Sequence, residues 1–362
     1  MFTIKRQICL IYSITALRSL QFAGACWAAL LAARGFSLTQ IGLAEAVFHL
    51  TSLLFEVPSG VIADVFGRKR CMIASQCMSA MASVAMMLSG SIGGVCIAMA
   101  LSALGYNFAS GAREALVYES LKQCGQQSAY ERFAVNDTTI WRIGTALSTL
   151  CTGAALWIGP RAAYGVDLTL ALLGLWPAMR LQESQNSEGA DSDIMQRICA
   201  AVKESVGFVV HSPKVLQLML GNALVGSVAT MLLYLLQARL PVIGGPDGWL
   251  GPVLFLLGLS GTLGLQIARL TGRLRYRLVV VLCGTGVLTG TLLAATSWLP
   301  AVLAGGFLAG TLDDLMDVCS DVVLNEMVPS SRRATLVSVS SLVFSFAMLA
   351  VAPLLGALFS MT

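Results

Sequence analysis

The sequence predicts an all-α protein that is embedded in a membrane, and three observations carry this prediction. Of the 362 residues, 56% are hydrophobic and 12% are charged, against roughly 25% charged residues in average soluble domains. Apolar runs long enough to cross a bilayer recur along the chain. Basic residues cluster in alternate connections between these runs. A soluble enzyme, a disordered chain and a secreted disulfide scaffold are excluded, because there is too little polar surface to cover so much apolar surface.

Eleven apolar runs are long enough to span the hydrocarbon core, which requires about 20 residues of helix. They lie near residues 8–33, 39–63, 71–90, 92–117, 134–158, 162–180, 214–238, 248–270, 278–297, 299–323 and 335–360. We number them spans 1 to 11. A polar interval follows span 6, so we expect a six-helix half at 1–182, a central cytoplasmic loop at 183–213 and a five-helix half at 214–362. Within the loop, Ile194–Val210 has the pattern of an amphipathic helix that lies on the membrane surface.

The basic residues predict the orientation of the spans. With the N-terminus in the cytoplasm, 17 of the 23 Lys and Arg residues fall on the cytoplasmic side and three fall outside. The remaining three, Arg18, Arg113 and Arg142, lie inside spans. Because an excess of Lys and Arg marks the cytoplasmic side, we expect a multi-pass protein of the plasma (cell inner) membrane. Its N-terminus is cytoplasmic and, after eleven spans, its C-terminus is external.

An internal repeat relates the two halves. The segment Ile62–Arg70 matches Ile267–Arg275 at five of nine positions, with an offset of 205 residues. Each segment closes the second span of its half, and adding 205 to the start of span 1 reaches the start of span 7. This agreement predicts a parallel repeat, in which two bundles are related by an axis along the membrane normal.

The loop after span 2 resembles the signature loop of the major facilitator superfamily, which reads G-x-x-x-D-[RK]-x-G-[RK]-[RK]. The residues that match this pattern are Gly60, Asp64, Gly67, Arg68 and Lys69, while Val65 replaces the first basic residue. Residues 110–121, which close span 4, and 324–335, which enter span 11, resemble bacterial members grouped with small-molecule or drug exporters.

This resemblance implies two helical bundles with spans 1, 4, 7 and 10 around a central cavity, and with the twelfth span absent. It implies secondary active transport of a small molecule by alternating access, coupled to an ion gradient, with H⁺ as the coupling ion. Export is slightly favoured over import. The preference is slight because span 5 lacks the G-P-x-x-G-G pattern of antiporters, and because Tyr106 and Asn107 stand where proton-coupled exporters carry an arginine in span 4. The alternative is a transport-inactive receptor or scaffold derived from a transporter, since the twelfth span is missing.

Other functional classes have little support in the sequence. The acids and the histidines are too dispersed for a clustered catalytic site, so we do not expect an enzyme. Ten cysteines occur without a CxxC pair and only two histidines are present, so we expect neither a metal site nor a cofactor. The net charge of +4 is too mild to suggest nucleic acid. We expect a monomer in the lipid bilayer.

Asp64 in the signature loop is predicted to act as a cytoplasmic latch. The glycines on either side, Gly60 and Gly67, permit close backbone approach, and an acid is stabilised at the N-terminus of a neighbouring helix. The resemblance implies that this helix is the start of span 11, near Ser331–Thr335. The alternative is that the basic residues of the loop only set the orientation.

Polar residues form narrow stripes on two predicted spans. Those of span 2 are Glu45, His49, Ser52 and Glu56, and those of span 4 are Asn107, Ser110, Glu114 and Tyr118. Because polar side chains in hydrocarbon are costly, each stripe should face the protein interior or a water-filled cavity. These residues are candidates for substrate binding or coupling, with interhelical hydrogen bonding as the alternative. Arg18, Arg113 and Arg142 share this candidate list, and ion pairing with acids of neighbouring spans is their alternative role.

Span 10 carries an acidic stripe on its cytoplasmic half. Asp313, Asp314, Asp317 and Asp321 lie within about 100° of one another around the helix. Neighbouring carboxylates disfavour each other's ionised form, which suits proton coupling or cation binding by Asp313, Asp314 and Asp317. The alternative is that the three arginines inside spans neutralise these acids.

The predicted topology is tested with reporter fusions. Fusions after Arg70, Ser192 and Gly272 should report the cytoplasm, because these positions lie in the basic connections. Fusions near Gly244 and after Thr362 should report the outside. A cytoplasmic C-terminus would contradict the count of eleven spans.

Overall fold

The computed structural model describes residues 4–183, 212–244, 247–271, 276–327 and 333–361, together with five isolated positions between 196 and 207. Within these ranges the chain is helical and contains no strand, so the predicted all-α class is confirmed. The α-helices are α1 Ile4–Ser19, α2 Trp27–Ala33, α3 Leu38–Phe66, α4 Arg68–Leu88, α5 Ile92–Gln123, α6 Tyr130–Leu150, α7 Thr152–Ile158, α8 Pro160–Arg180, α9 Pro213–Ile243, α10 Leu250–Thr271, α11 Tyr276–Ala294, α12 Leu299–Met327 and α13 Arg333–Phe359.

Ten of the eleven predicted spans have the length and composition of membrane helices in the described residues. Nine are single helices, and the tenth is span 1, which is divided into α1 and a second segment bent by 41°. Span 5 is also helical, but Asn136, Asp137 and Arg142 make α6 less apolar, and the helix is interrupted at Cys151 before α7. The arrangement of six spans followed by five stays a prediction. Most of Ile194–Val210, the predicted surface helix, lies outside the described residues.

The chain forms two compact units. The first unit contains Met1–Ala25 and Leu54–Val202, and the second contains Cys26–Leu53 and Lys203–Thr362. The predicted boundaries follow chain order, whereas packing joins α2 and the first part of α3 to the later residues. Contacts within the second unit account for this. For example, the Trp27 and Tyr234 rings lie edge to face at 5.3 Å, and the Thr39 N–H donates to Ser360 Oγ at 3.1 Å.

In the first unit, α4 packs against α5 and α8, and α1 packs against α6 and α8. An apolar core lies at the ends of these helices that are predicted to be cytoplasmic, and it includes the buried side chains of Ile11, Met72, Leu116 and Leu121. In the second unit, α12 packs against α9, α10 and α11, and α9 also packs against α13. These contacts place the acidic stripe of span 10 next to α9.

The signature loop turns at Gly67, where α3 ends and α4 begins. Gly67 has φ +98°, a backbone conformation that is essentially restricted to glycine. The Glu183 carboxylate lies against it and accepts hydrogen bonds from the Arg68 N–H at 2.9 Å and the Lys69 N–H at 3.0 Å. A carboxylate at this position satisfies free N–H groups of the first turn of α4 and complements the helix dipole. A Cβ atom at Gly67 would meet the Glu183 carboxylate.

Gly60, the other glycine of the motif, lies inside α3 and can be compared with Gly67. A Cβ atom at Gly60 would meet nothing within 4 Å among the described residues. A side chain thus lies against Gly67, whereas the described residues leave open space at Gly60.

We expect Gly67→Ala to lower the stability of the purified protein by about 1–3 kcal/mol, because alanine is strained at this φ and its Cβ displaces Glu183. Gly60→Ala should leave stability unchanged or raise it by about 0.5–1 kcal/mol, because alanine is preferred to glycine within helices. Thermal unfolding in detergent measures both variants. Equal melting temperatures for the two variants would show that the loop does not depend on Gly67.

Candidate functional site

Arg68 is the centre of an ion-pair cluster in the signature loop. Its guanidinium contacts the Glu119 carboxylate of α5, lies 3.4 Å from Asp64 Oδ1 and donates to the Ala115 carbonyl at 3.2 Å. Arg68 therefore ties the end of α3 and the start of α4 to α5. Half of the Asp64 side chain is exposed.

The latch partner predicted near Ser331–Thr335 lies outside the described side chains. Sequence reasoning did not single out Glu119 and Glu183, which hold the signature loop from α5 and from the chain after α8. Both residues follow apolar runs, at the predicted cytoplasmic ends of spans 4 and 6. An acid at such a position, close to the signature loop, was the feature of the sequence that could have identified them.

A buried polar network lies between α1, α5 and α6 in the first unit. Asp137 is 6% exposed. It accepts a hydrogen bond from Thr15 Oγ1 at 2.6 Å and lies 3.4 Å from Arg113 Nη1. Arg113 Nη2 is 3.9 Å from Glu114, whose side chain is mostly exposed. The network neutralises an arginine and an acid that would be costly in hydrocarbon alone.

The other polar candidates of the first unit lie on α1, α5 and α6. Arg18 Nη1 donates to Ser75 Oγ at 3.3 Å, so this guanidinium faces α4. Asn107 is buried in α5, whereas Arg142 is exposed on α6. Within their own unit, Arg18 thus contacts Ser75 and Arg113 contacts Asp137. Neutralisation of the acids of span 10 by these arginines stays an alternative prediction.

His49 and Glu45 form a buried pair within the second unit. Their side chains are one turn apart on α3, with His49 Nε2 3.3 Å from Glu45 Oε1. His49 Nδ1 lies 3.2 Å from Ser345 Oγ, and the Phe344 ring packs edge to face at 5.6 Å. His49 therefore links α3 to α13. Glu56, at the other end of the predicted stripe, belongs to the first unit.

Three acids of α12 line a cavity of about 200 Å³ in the second unit. The lining residues are Asn222, Gly226, Thr230, Asp313, Asp314, Asp317 and Phe344. They come from α9, α12 and α13, so the cavity depends on how these helices pack. Asp313 and Asp314 are half-buried, Asp317 lies at the exposed side of the cavity, and Asp321 is exposed outside its lining.

Asn222 holds Asp317 in place at the wall of this cavity. Asn222 Nδ2 donates to Asp317 Oδ1 at 3.0 Å. Asn222 Oδ1 is buried and has no hydrogen-bond partner among the described residues. A buried acceptor without a donor is costly, so a donor that enters the cavity would be stabilised there. Sequence reasoning missed Asn222, although an amide inside the apolar run of span 7 was a visible signal.

The cavity has the chemistry of a proton or cation site. Its described lining residues include three carboxylates and no basic side chain. Closely placed carboxylates repel one another, and a proton or another cation relieves this repulsion. In the part of the chain that the structure describes, no group of three His, Cys, Asp or Glu residues has the arrangement of a metal site.

Comparison with known proteins identifies relatives among transporters. The sequence model of the Major Facilitator Superfamily matches residues 8–267. The chain is 27% identical to the inner membrane transport protein YajR of Escherichia coli (strain K12) over 191 residues, which are 53% of this chain and 40% of that protein. It is 23% identical to the uncharacterized MFS-type transporter YxaM of Bacillus subtilis (strain 168) over 342 residues, 91% of this chain and 84% of that protein.

A solved structure shares the fold. The crystal structure of the nucleoside transporter NupG matches with a TM-score of 0.72 and 13% identity, covering 100% of this chain and 92% of that one. At this identity the likeness concerns the fold alone. The sequence match covers most of the chain, and the helical fold and the signature loop agree with it. The protein belongs to the Major Facilitator Superfamily.

Proposed function

We propose that this multi-pass membrane protein is a secondary active transporter that moves a small molecule by alternating access. We propose H⁺ as the coupling ion and favour export over import. The observation that carries this proposal is the cavity lined by Asp313, Asp314 and Asp317, together with membership of a transporter family. We place the protein in the cell inner membrane as a monomer, with its N-terminus in the cytoplasm.

In this proposal, a proton and the substrate compete for the same carboxylates, and this competition couples their movements. With the cavity empty, a proton bound within the acidic group lowers the repulsion between its carboxylates. A substrate that donates hydrogen bonds to these acids stabilises their ionised form and so releases the proton. Asn222 keeps Asp317 oriented through this exchange because its Nδ2–H donates to the carboxylate.

The signature loop supplies the control of the cytoplasmic side in this proposal. Arg68 joins α3, α4 and α5 through Asp64, Glu119 and the Ala115 carbonyl. Through these contacts, a movement of the end of α3 that opens the cytoplasmic side is coupled to α4 and α5. The half-exposed carboxylate of Asp64 is left with capacity to bind the N-terminus of a further helix.

The latch is tested with Asp64→Asn. We expect the variant to fold and insert normally but to shift its resting population toward the inward-open state, by about 0.3–1 kcal/mol, the value of an exposed charge at a helix end. Labelling of cytoplasmic cysteines and substrate flux measure this shift. Arg70→Gln, a charge change in the same loop at an exposed residue, is the control. Unchanged cysteine accessibility together with unchanged flux in Asp64→Asn would contradict the latch.

The coupling role is tested with Asp313→Asn and Asp317→Asn. Asparagine has nearly the same shape, and at position 317 it can still accept the Asn222 N–H, so expression and melting temperature should stay close to wild type. The pH dependence of transport in liposomes should disappear in both variants, because the amide does not titrate. The matched control is Asp321→Asn, one turn further along α12 and outside the cavity lining.

If both cavity variants transport with the wild-type pH dependence, the coupling role is wrong. If neither variant folds, Asp313 and Asp317 stabilise the fold instead. A protein that binds a ligand found by thermal shift, but shows no substrate-dependent flux, would instead be a transport-inactive receptor or scaffold.

A further inference from the structure

Span 1 is broken in its middle. Helix α1 ends at Ser19, a short 3₁₀ turn runs from Gly24 to Cys26, and α2 begins at Trp27. A break leaves backbone N–H and C=O groups without helical partners, and the bilayer core offers no water to satisfy them. The break therefore requires partners from neighbouring helices.

The carboxylate of Asp167, on α8, accepts hydrogen bonds from three backbone N–H groups of the break. Its Oδ1 accepts from the Phe22 N–H at 2.5 Å and from the Ala23 N–H at 3.2 Å. Its Oδ2 accepts from the Gly24 N–H at 2.8 Å. Asp167 is 9% exposed. Three successive N–H groups thus surround one buried carboxylate, and hydrogen bonds to an ionised group are stronger than neutral ones.

A second helix satisfies the other side of the break. Ser148 Oγ, on α6, donates to the Ser19 carbonyl at 3.1 Å. One turn earlier on α6 lies Gly144, where a Cβ atom would collide with the Ser19 side chain. Both helices that neighbour α1, α6 and α8, therefore form hydrogen bonds that stabilise the broken conformation. We infer that the break is a specific feature of the fold.

The residues at the α2 end of the break are buried. Cys26 is fully buried and the Trp27 side chain is 8% exposed. If residues 20–23 wound into a continuous helix, each added residue would turn the following chain by about 100° and advance it by about 1.5 Å. Cys26 and Trp27 would then leave their packing. Exposure of Cys26 therefore reports the loss of the break.

We propose that Asp167 is a positioning residue for transport, whose carboxylate holds span 1 broken between α1 and α2. The expected effect of Asp167 on transport rests on the function proposed above. The role of Asp167 in holding span 1 broken does not rest on that function. Asp167→Asn should release the break. The asparagine oxygen can replace Oδ1, but its NH₂ group would face the Gly24 N–H, where two donors oppose each other.

The test uses a cysteine that the chain already has. Cys26 is fully buried at the end of the 3₁₀ turn, while Cys71 on α4 and Cys283 on α11 are buried elsewhere. Labelling by N-ethylmaleimide in detergent, read by peptide mass spectrometry, reports each site. We expect Asp167→Asn to speed the labelling of Cys26 about tenfold or more, since hydrogen bonds to a charged group are lost. Cys71 and Cys283 should stay protected, and substrate flux should fall.

Two further variants sharpen the test. Asp167→Glu keeps the carboxylate and should restore most of the protection of Cys26 and most of the flux. Ser148→Ala removes a neutral hydrogen bond on the other side of the break and should have a smaller effect than Asp167→Asn.

The proposal is overturned if Cys26 in Asp167→Asn stays as protected as in the wild type. It is also overturned if Cys71 and Cys283 become reactive together with Cys26, because that result indicates a general loss of the fold. Cysteine labelling does not depend on transport. A wild-type protein that moves no substrate would therefore count against the proposed transport function and leave the test of the break intact.

Discussion

A polar group inside the hydrocarbon layer must find its partners within the protein, because neither lipid tails nor water replace them there. The acids of the spans follow this constraint by different means. Asp137 meets Thr15 and Arg113, which lie on two other helices. Asp167 meets the backbone N–H groups of a broken helix. The positions of α1, α5, α6 and α8 in the first unit therefore depend on where these carboxylates lie.

The acids of α12 satisfy the same constraint in another way. Asp313, Asp314 and Asp317 gather around a cavity, where an amide of α9 orients one of them. A cluster of carboxylates around a cavity can bind a proton or a hydrogen-bond donor of a ligand. Asp137 pairs with Arg113, whereas the described lining of this cavity includes no basic side chain. This contrast is the reason for proposing that coupling lies in the second unit.

Much of the architecture was predictable from the sequence, because span positions follow from local hydropathy and the loop motif is contiguous. Span 1 was predicted as one run because residues 20–26 are nearly as apolar as their surroundings, and composition does not reveal a break. Asp167 was visible as an acid inside span 6, but its partners are backbone N–H groups, which carry no signature in the sequence. The contact between Asn222 and Asp317 joins residues 95 positions apart, and pattern periodicity does not report such contacts.

In the proposed function, a small molecule and protons move through the same chain. The most direct test of this proposal is to reconstitute the purified protein in liposomes that contain a pH-sensitive dye, and to add a ligand identified by thermal shift. We expect the ligand to cross the membrane and the luminal pH to change at the same time, only in liposomes that contain the protein. Ligand binding without flux of either species would contradict the account.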